Sequence, residues 1–294
     1  MPATLTLHDV TFSRGRVPVL DGVDLALTPG RRIGIVGPNG VGKSTLLAVC
    51  AGVLVPDRGD IVMTPPAATV GLLAQESERT DETVGELLRR RTGVAAADAE
   101  LAGASDALAG GESGGPDRYD RALQRWLALG AADFDARLGA VADDLGLPER
   151  LLAAPTSSLS GGESARAGLA ALTLSRFDVY LLDEPTNDLD LAGLERLESW
   201  LLDLAAAVAL VSHDRRFLRR VVTDVVELDP FTHRLESFGG GWQAYLDERE
   251  HSRRRRQERY EEYAAQRRSL AERAQRQREL AQQGRARVRR TMYD

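Results

Sequence analysis

Nine consecutive residues, Gly37, Pro38, Asn39, Gly40, Val41, Gly42, Lys43, Ser44 and Thr45, constrain this chain more than any other stretch. They satisfy the spacing G-x-x-x-x-G-K-[ST] without a gap. Glycines let backbone N–H groups curl around an anion, and a helix that follows points its positive end at the same place. A lysine at this position reaches the β- and γ-phosphates of a nucleotide, and the hydroxyl of Ser44 can ligate Mg²⁺. The flanks agree with this reading. Residues 32–36 predict a short buried strand and residues 44–51 a helix, so the loop sits where a strand hands over to a helix. Lys43 is also the only lysine; the other 37 of the 38 basic residues are arginine. A compact ammonium on a flexible stem is not replaced by a planar guanidinium, and its place in the anion nest accounts for its singularity.

The chain of 294 residues is long enough for one large domain or two smaller ones. Its 28% charged and 43% hydrophobic content is that of a soluble globular protein. One cysteine, Cys50, excludes an internal disulfide framework and suits a reducing, cytoplasmic setting. No apolar run approaches the ~18 residues of a membrane helix, and Met1-Pro2-Ala3-Thr4 lacks the charged-then-apolar pattern of a signal peptide. The four histidines have no metal-ligand spacing. Charge is uneven: residues 246–294 hold 15 arginines against 9 acids, and residues 1–245 hold 23 basic against 35 acidic residues. An acidic body carries a basic tail.

Leu5, Leu7, Val10 and Phe12 predict a first strand, and residues 17–27 predict one or two more, broken by a turn at Asp21-Gly22. Thr28-Pro29-Gly30 is another turn. Residues 56–60 predict a turn before a strand at 61–63, and residues 70–75 a buried strand ending in the amide of Gln75. From 83 to 147, alanine, leucine, arginine and acids dominate; this stretch is helical, split in two by glycine-rich 110–116. The expected organisation is a first half of an α/β core in 1–84, a helical insertion in 85–150, the second half of the core in 151–245, and a polar tail in 246–294.

The second half opens on Leu159-Ser160-Gly161-Gly162-Glu163. Ser160 and Glu163 form a capping box for a helix to about residue 175. Capping does not explain two glycines in the first turn, where they weaken a helix. An anion approaching the exposed N–H groups does. Residues 179–182 predict an apolar strand ending in Asp183-Glu184, at the ligand edge of a parallel sheet. Asp183 is placed to hold Mg²⁺ and Glu184 to polarise a water. An amphipathic helix follows, with apolar positions at 191, 194, 197, 201 and 204. A strand at 208–211 ends at Ser212-His213-Asp214, which puts His213 in phase with the carboxylate pair. After Tyr245 the chain reads as helical to about Gln283, with Gly284 as a stop. The run at 253–256 and a weak heptad through Tyr263, Leu270, Ala274 and Ala281 fit either the solvated face of a coiled-coil linker or an RNA-contacting arm.

These pieces, in this order, resemble the nucleotide-binding cassette of the ABC ATPases over about residues 5–230. Residues 37–45 are similar to its Walker A loop, Gln75 to its Q-loop and residues 159–163 to its signature. Residues 179–183 resemble Walker B, Glu184 the catalytic glutamate, Asn187-Asp188-Leu189-Asp190 the D-loop, and His213 the switch histidine. The resemblance implies an α/β, RecA-like core with an antiparallel β subdomain and an inserted helical subdomain, then a long basic helix. It implies ATP and Mg²⁺ as ligands, with Ser44, Gln75 and Asp183 around the metal. It also implies ATP sandwiched between two cassettes, the Walker A of one facing Ser160, Gly161, Gly162 and Glu163 of the other. Where an aromatic residue often stacks on adenine this chain has Arg14, with Phe12 the other candidate.

Within that superfamily the chain looks like the ABC-F group, soluble twin-cassette proteins that act on ribosomes. The run Asp183-Glu184-Pro185-Thr186-Asn187-Asp188-Leu189-Asp190, the run Ser212-His213-Asp214-Arg215-Arg216-Phe217-Leu218, and Gly240-Gly241-Trp242-Gln243-Ala244-Tyr245-Leu246 ahead of a charged helix carry this likeness. It implies a translation factor or an antibiotic-resistance protein that protects ribosomes, with rRNA and P-site tRNA as partners. On this reading the chain is an N-terminal cassette and the start of an interdomain linker, and a second cassette pairs with it. The alternative is the ATPase subunit of an ABC membrane transporter, which needs no membrane segment of its own. A module that only binds ATP is a third reading, and the intact Glu184 and His213 count against it.

Overall fold

A computed structural model describes residues 3–73, 80–255, 259–261, 263 and 267. Gln75 and the heptad positions Leu270, Ala274 and Ala281 lie outside the described residues, as does the expected helix end near Gln283. The chain divides into two compact units, Met1–Trp242 and Gln243–Asp294.

The first unit begins with strands β1 (Thr4–Arg14), β2 (Val17–Leu27) and β3 (Arg32–Val36), then helix α1 (Lys43–Cys50), β4 (Arg58–Thr64) and β5 (Val70–Leu73). Helices α2 (Val84–Arg91), α3 (Val94–Ala109), α4 (Gly115–Ala128), α5 (Phe134–Asp144) and the short α6 (Glu149–Leu152) follow. Helix α7 (Gly161–Leu174), β6 (Val179–Asp183), α8 (Leu191–Asp203), β7 (Ala207–Val211), α9 (Arg215–Val221), β8 (Asp224–Leu228) and β9 (Leu235–Gly239) complete it.

The strands form two sheets. One is a three-stranded antiparallel sheet in the order β2-β1-β4; the other has six strands in the order β5-β6-β7-β3-β8-β9, parallel except for β9. The main core lies between them, around α1. Leu5, Leu7, Leu20 and Leu27 of the antiparallel sheet meet Leu46, Leu47 and Val49 of α1 and Ile33, Ile35, Leu181 and Ala209 of the parallel sheet. Side chains alternate along a strand, so Gly34 points to the other face, where an added Cβ would meet Val222 and Leu218 beside α9. Cys50, at the end of α1, is 2% exposed, and burial pushes its thiol up to about 12. It is a small apolar filler of the core.

Three expectations need correction. Residues 17–27 form one strand rather than two broken by a turn. Asp9 (φ 49°) and Gly22 (φ 61°) sit at irregularities in the β1–β2 ladder; the Gly22 N–H donates to Thr11 Oγ1 at 3.2 Å and the Asp9 N–H to Asp24 Oδ1 at 3.0 Å, so the chain bulges and continues. The helical stretch has more breaks than the glycine run at 110–116: Gly93 (φ 79°) and Gly130 (φ 67°) adopt left-handed backbone at further boundaries. On α8 the buried face is Leu197, Glu198 and Leu201, while Leu191 is 73% exposed.

In the second unit, residues 243–255 are helical and its described residues are largely exposed.

Candidate active site

The parallel sheet brings the predicted residues to one edge. In register, β6 lies beside β7 and β7 beside β3: Leu182 pairs with Leu210, Asp183 with Val211, and Gly34 with Leu210. All three strands run the same way. The glycine-rich loop after β3, Asp183-Glu184 after β6 and Ser212-His213 after β7 therefore leave from neighbouring carboxyl ends.

The loop is held from below and open above. Val41 is 8% exposed and packs in the core, its N–H donating to the Pro38 carbonyl at 3.3 Å, while Pro38, Asn39 and Gly40 face solvent. Two glycines are required by the backbone and by their neighbours. Gly42 caps α1 at φ 118°, and a Cβ there would lie 2.5 Å from Val19 Cγ1 of β2. At Gly37, φ 149°, it would lie 2.9 Å from the Leu228 carbonyl oxygen. Lys43 is 9% exposed, and its Nζ donates to the Gly37 and Pro38 carbonyls at 3.0 and 3.1 Å. Burial lowers its pKa, while the charges of Glu184 and Asp183 raise it, which places both carboxylates within electrostatic reach of the ammonium. Ser44 is exposed on the first turn of α1 and Thr45 is buried at 6%.

Glu184 is the most constrained residue of the site. It has φ 52°, a left-handed conformation unusual for a non-glycine residue and one associated with functional sites. Its N–H donates to the Val211 carbonyl at 2.9 Å, which ties the strained backbone to β7. The residue is 8% exposed. Oε2 accepts the His213 backbone N–H at 3.1 Å. Oε1 lies 3.2 Å from His213 Nε2 without the alignment of a hydrogen bond, and is buried with no hydrogen-bond partner among the described residues. A buried carboxylate oxygen without a donor is costly unless a ligand or water supplies one. Glu184 Oε1 is thus an unsatisfied acceptor at the sheet edge from which residues 37–45 also leave.

The sequence reading missed the brace behind this pair. Ser212 is 7% exposed; its Oγ lies 2.9 Å from Thr186 Oγ1 and accepts the Asp214 N–H at 3.0 Å, joining the two strand-end loops. Hydroxyls flanking a carboxylate and a histidine were the available signal. Asp190 is the N-cap of α8, accepting the Gly193 N–H at 2.7 Å.

The capping box of α7 forms as expected. Ser160 Oγ and its N–H both donate to Glu163 Oε2, at 2.7 and 2.9 Å, and hold that carboxyl below its usual range. Gly161 and Gly162 are exposed, and a Cβ on either would meet nothing within 4 Å. Packing in this chain therefore does not require glycine there. No hydrogen bond or ion pair joins residues 160–163 to the phosphate loop among the described residues. Of the two adenine candidates, Phe12 packs against the core and Arg14 is exposed.

The donor set fits a nucleotide and Mg²⁺: a glycine cradle that a Cβ would fill, an ammonium, an exposed serine hydroxyl and two strand-end carboxylates. Among the described residues no group of three or more His, Cys, Asp or Glu could hold a metal ion on its own, and no helix is long and apolar enough to cross a membrane.

Comparison with known proteins agrees with this chemistry. The family model described as ABC transporter matches residues 20–187. The chain is 37% identical over 276 residues, 89% of its length, to the tylosin resistance ATP-binding protein TlrC of Streptomyces fradiae, and covers 48% of that protein. It is 35% identical over 252 residues, 83% of its length, to the energy-dependent translational throttle protein EttA of Mycobacterium tuberculosis, and covers 43% of it. It therefore spans about half the length of these relatives. Among solved structures, the ATP-binding subunit of an ABC transporter superposes with a TM-score of 0.60 at 21% identity, covering 80% of this chain and 89% of that one. A dimeric bacterial ABC transporter cassette superposes at 0.56 and 20% identity, covering 79% and 96%. These two likenesses concern the fold alone.

Proposed function

The chain belongs to the ABC family of ATP-binding cassettes, and from that premise we propose that it is the ATP-hydrolysing cassette of an ABC-F protein that acts on the ribosome. The observation that carries hydrolysis is Glu184: buried, strained, oriented by His213, and left with one unsatisfied carboxylate oxygen. The names of its relatives, a tylosin resistance protein and a translational throttle, support the ribosomal part of the reading.

Lys43 turns from the Gly37 and Pro38 carbonyls to the β- and γ-phosphates, and the loop N–H groups surround them. Glu184 accepts the proton of the attacking water as the bond from the γ-phosphorus to ADP breaks. His213 keeps the Glu184 carboxylate in place and faces the γ-phosphate. Ser44 and Asp183 would hold Mg²⁺, which supplies charge neutralisation at the phosphate oxygens; Gln75 completes that set by resemblance. Arg14 stacks on adenine through its guanidinium plane. The bare N–H groups of Gly161 and Gly162, beside Ser160 and Glu163, receive the phosphate of ATP held by a second cassette. ATP closes the pair of cassettes in the cytoplasm, the closed form binds beside rRNA and P-site tRNA, and hydrolysis releases it.

Sedimentation of the natural gene product with Glu184→Gln tests this reading. With ATP the protein pellets with ribosomes, and with ADP it stays in the supernatant. Pelleting with membranes and not with ribosomes would replace this reading with that of a transporter subunit.

A further inference from the structure

Helix α9 carries four arginines, Arg215, Arg216, Arg219 and Arg220, opposite the buried Phe217, Leu218 and Val221. All four are exposed. Arg220 pairs with the buried Glu198 at 2.8 Å. Arg215, Arg216 and Arg219 make no side-chain hydrogen bond or ion pair among the described residues. The carboxylate nearest in sequence, Asp214, is engaged by the backbone N–H groups of Arg216 and Phe217. Other arginines of this unit do pair with carboxylates, although Arg14, Arg16, Arg150 and Arg166 have no such pair among the described residues. Arg31, Arg58, Arg89, Arg90, Arg137 and Arg176 each lie 3.2 Å or less from a carboxylate oxygen.

Composition does not explain the cluster, because residues 1–245 carry 35 acids against 23 basic residues. Helix stability explains only part of it: Arg219 and Arg220 in the last turn complement the helix dipole, whereas Arg215 and Arg216 stand in the first turn, where a positive charge is unfavourable. Arg215 and Arg219, like Arg216 and Arg220, are one turn apart, where like charges repel and weaken a helix. The repulsion is offset when a polyanion lies along the face. Guanidinium forks match phosphate oxygens bidentately. A membrane-surface helix would turn apolar side chains outwards, whereas the apolar face of α9 is buried.

We propose that the arginine face of α9 binds the sugar-phosphate backbone of RNA. This rests on the ribosomal reading above and names a contact surface within it. The binding is electrostatic and indifferent to base sequence, so it appears as a salt-dependent term.

The test compares the natural gene product carrying Glu184→Gln with the same protein also carrying Arg216→Ala and Arg219→Ala. Binding to purified ribosomes is measured with ATP between about 50 and 200 mM KCl, and binding to phosphatidylserine-rich vesicles in parallel. The arginine-rich tail is common to both proteins, so the difference reports α9. Expected are roughly tenfold weaker ribosome binding at low salt and a log K against log salt slope shallower by about 2. Lysines at both positions restore most of the slope, and ATP turnover of the double alanine variant in an otherwise unaltered protein is unchanged. Equal affinity and slope in the two proteins would overturn this inference and leave the ribosomal reading standing. Absence of ribosome binding by the Glu184→Gln protein itself would overturn both. Arginine-dependent binding to vesicles, without such an effect on ribosomes, would overturn the assignment to RNA.

Discussion

Glu184→Gln lowers steady-state ATP turnover by roughly 10²–10³-fold, the lower part of the ~10²–10⁴-fold range of a general base, and leaves ATP affinity unchanged. The amide has the shape of the carboxylate, and its oxygen can still accept the His213 N–H that Oε2 accepts at 3.1 Å. The left-handed backbone and its bond to the Val211 carbonyl are untouched. What is lost is a group able to take a proton from water. At about 1.4 kcal/mol per tenfold, the loss is about 2.7–4 kcal/mol of transition-state stabilisation. Phosphate release from Mg·ATP measures it directly. Equal release by parent and variant would remove Glu184 from the chemistry.

Lys43→Ala weakens ATP binding, so that concentrations which saturate the parent fill the variant only in part. A charge-assisted hydrogen bond is worth about 1.5–3 kcal/mol, so losing the phosphate contact weakens binding by roughly 10–100-fold. Melting temperature reports this by mass action. ATP at about 100 times the parent dissociation constant stabilises the parent by about 2.7 kcal/mol; binding weakened 100-fold leaves about 0.4. For a body of this size the parent rises by roughly 5–10 °C and the variant by about 1 °C. Lys43→Arg falls near the alanine result although it keeps the charge. Lys43 is 9% exposed, and its ammonium bonds two carbonyls at 3.0 and 3.1 Å, a space cut for a compact cation. A melting shift in the arginine variant equal to that of the parent would mean that charge, and not shape, is what the site requires.

What was legible in the sequence follows from where the information is local. The phosphate loop, the α7 capping box and the strand ends at Asp183 and Val211 each depend on residues a few positions apart, and each stands where expected. The bulge that keeps β2 whole was hidden, because it needs Thr11 and Asp24 on the partner strand and in the strand itself to satisfy N–H groups across the ladder. The exposure of Leu191 was hidden for a similar reason: the period of a helix gives a face but not which of its turns reaches the core. Strands β8 and β9 are short, and neither carries a motif that marks it. At the candidate site, the strand ends that carry Asp183, Glu184 and His213 were legible and lie side by side, but their conformation was not legible. Nothing in Asp183-Glu184-Pro185 announces a positive φ at Glu184, the Thr186–Ser212 brace, or an oxygen left without a partner. Gly42 was legible as a glycine of the loop, yet the reason that nothing larger fits is Val19, a strand away.

The most direct test of the central claim, that this edge of the sheet binds ATP and that Glu184 drives its hydrolysis, is the native mass of the Glu184→Gln chain after incubation with Mg·ATP. The account predicts one intact ATP with Mg²⁺ on each 31.9 kDa chain, and ADP or no nucleotide on the parent after the same time. A variant that carries ADP would contradict the role of Glu184, and one that carries nothing at millimolar ATP would contradict the nucleotide site itself.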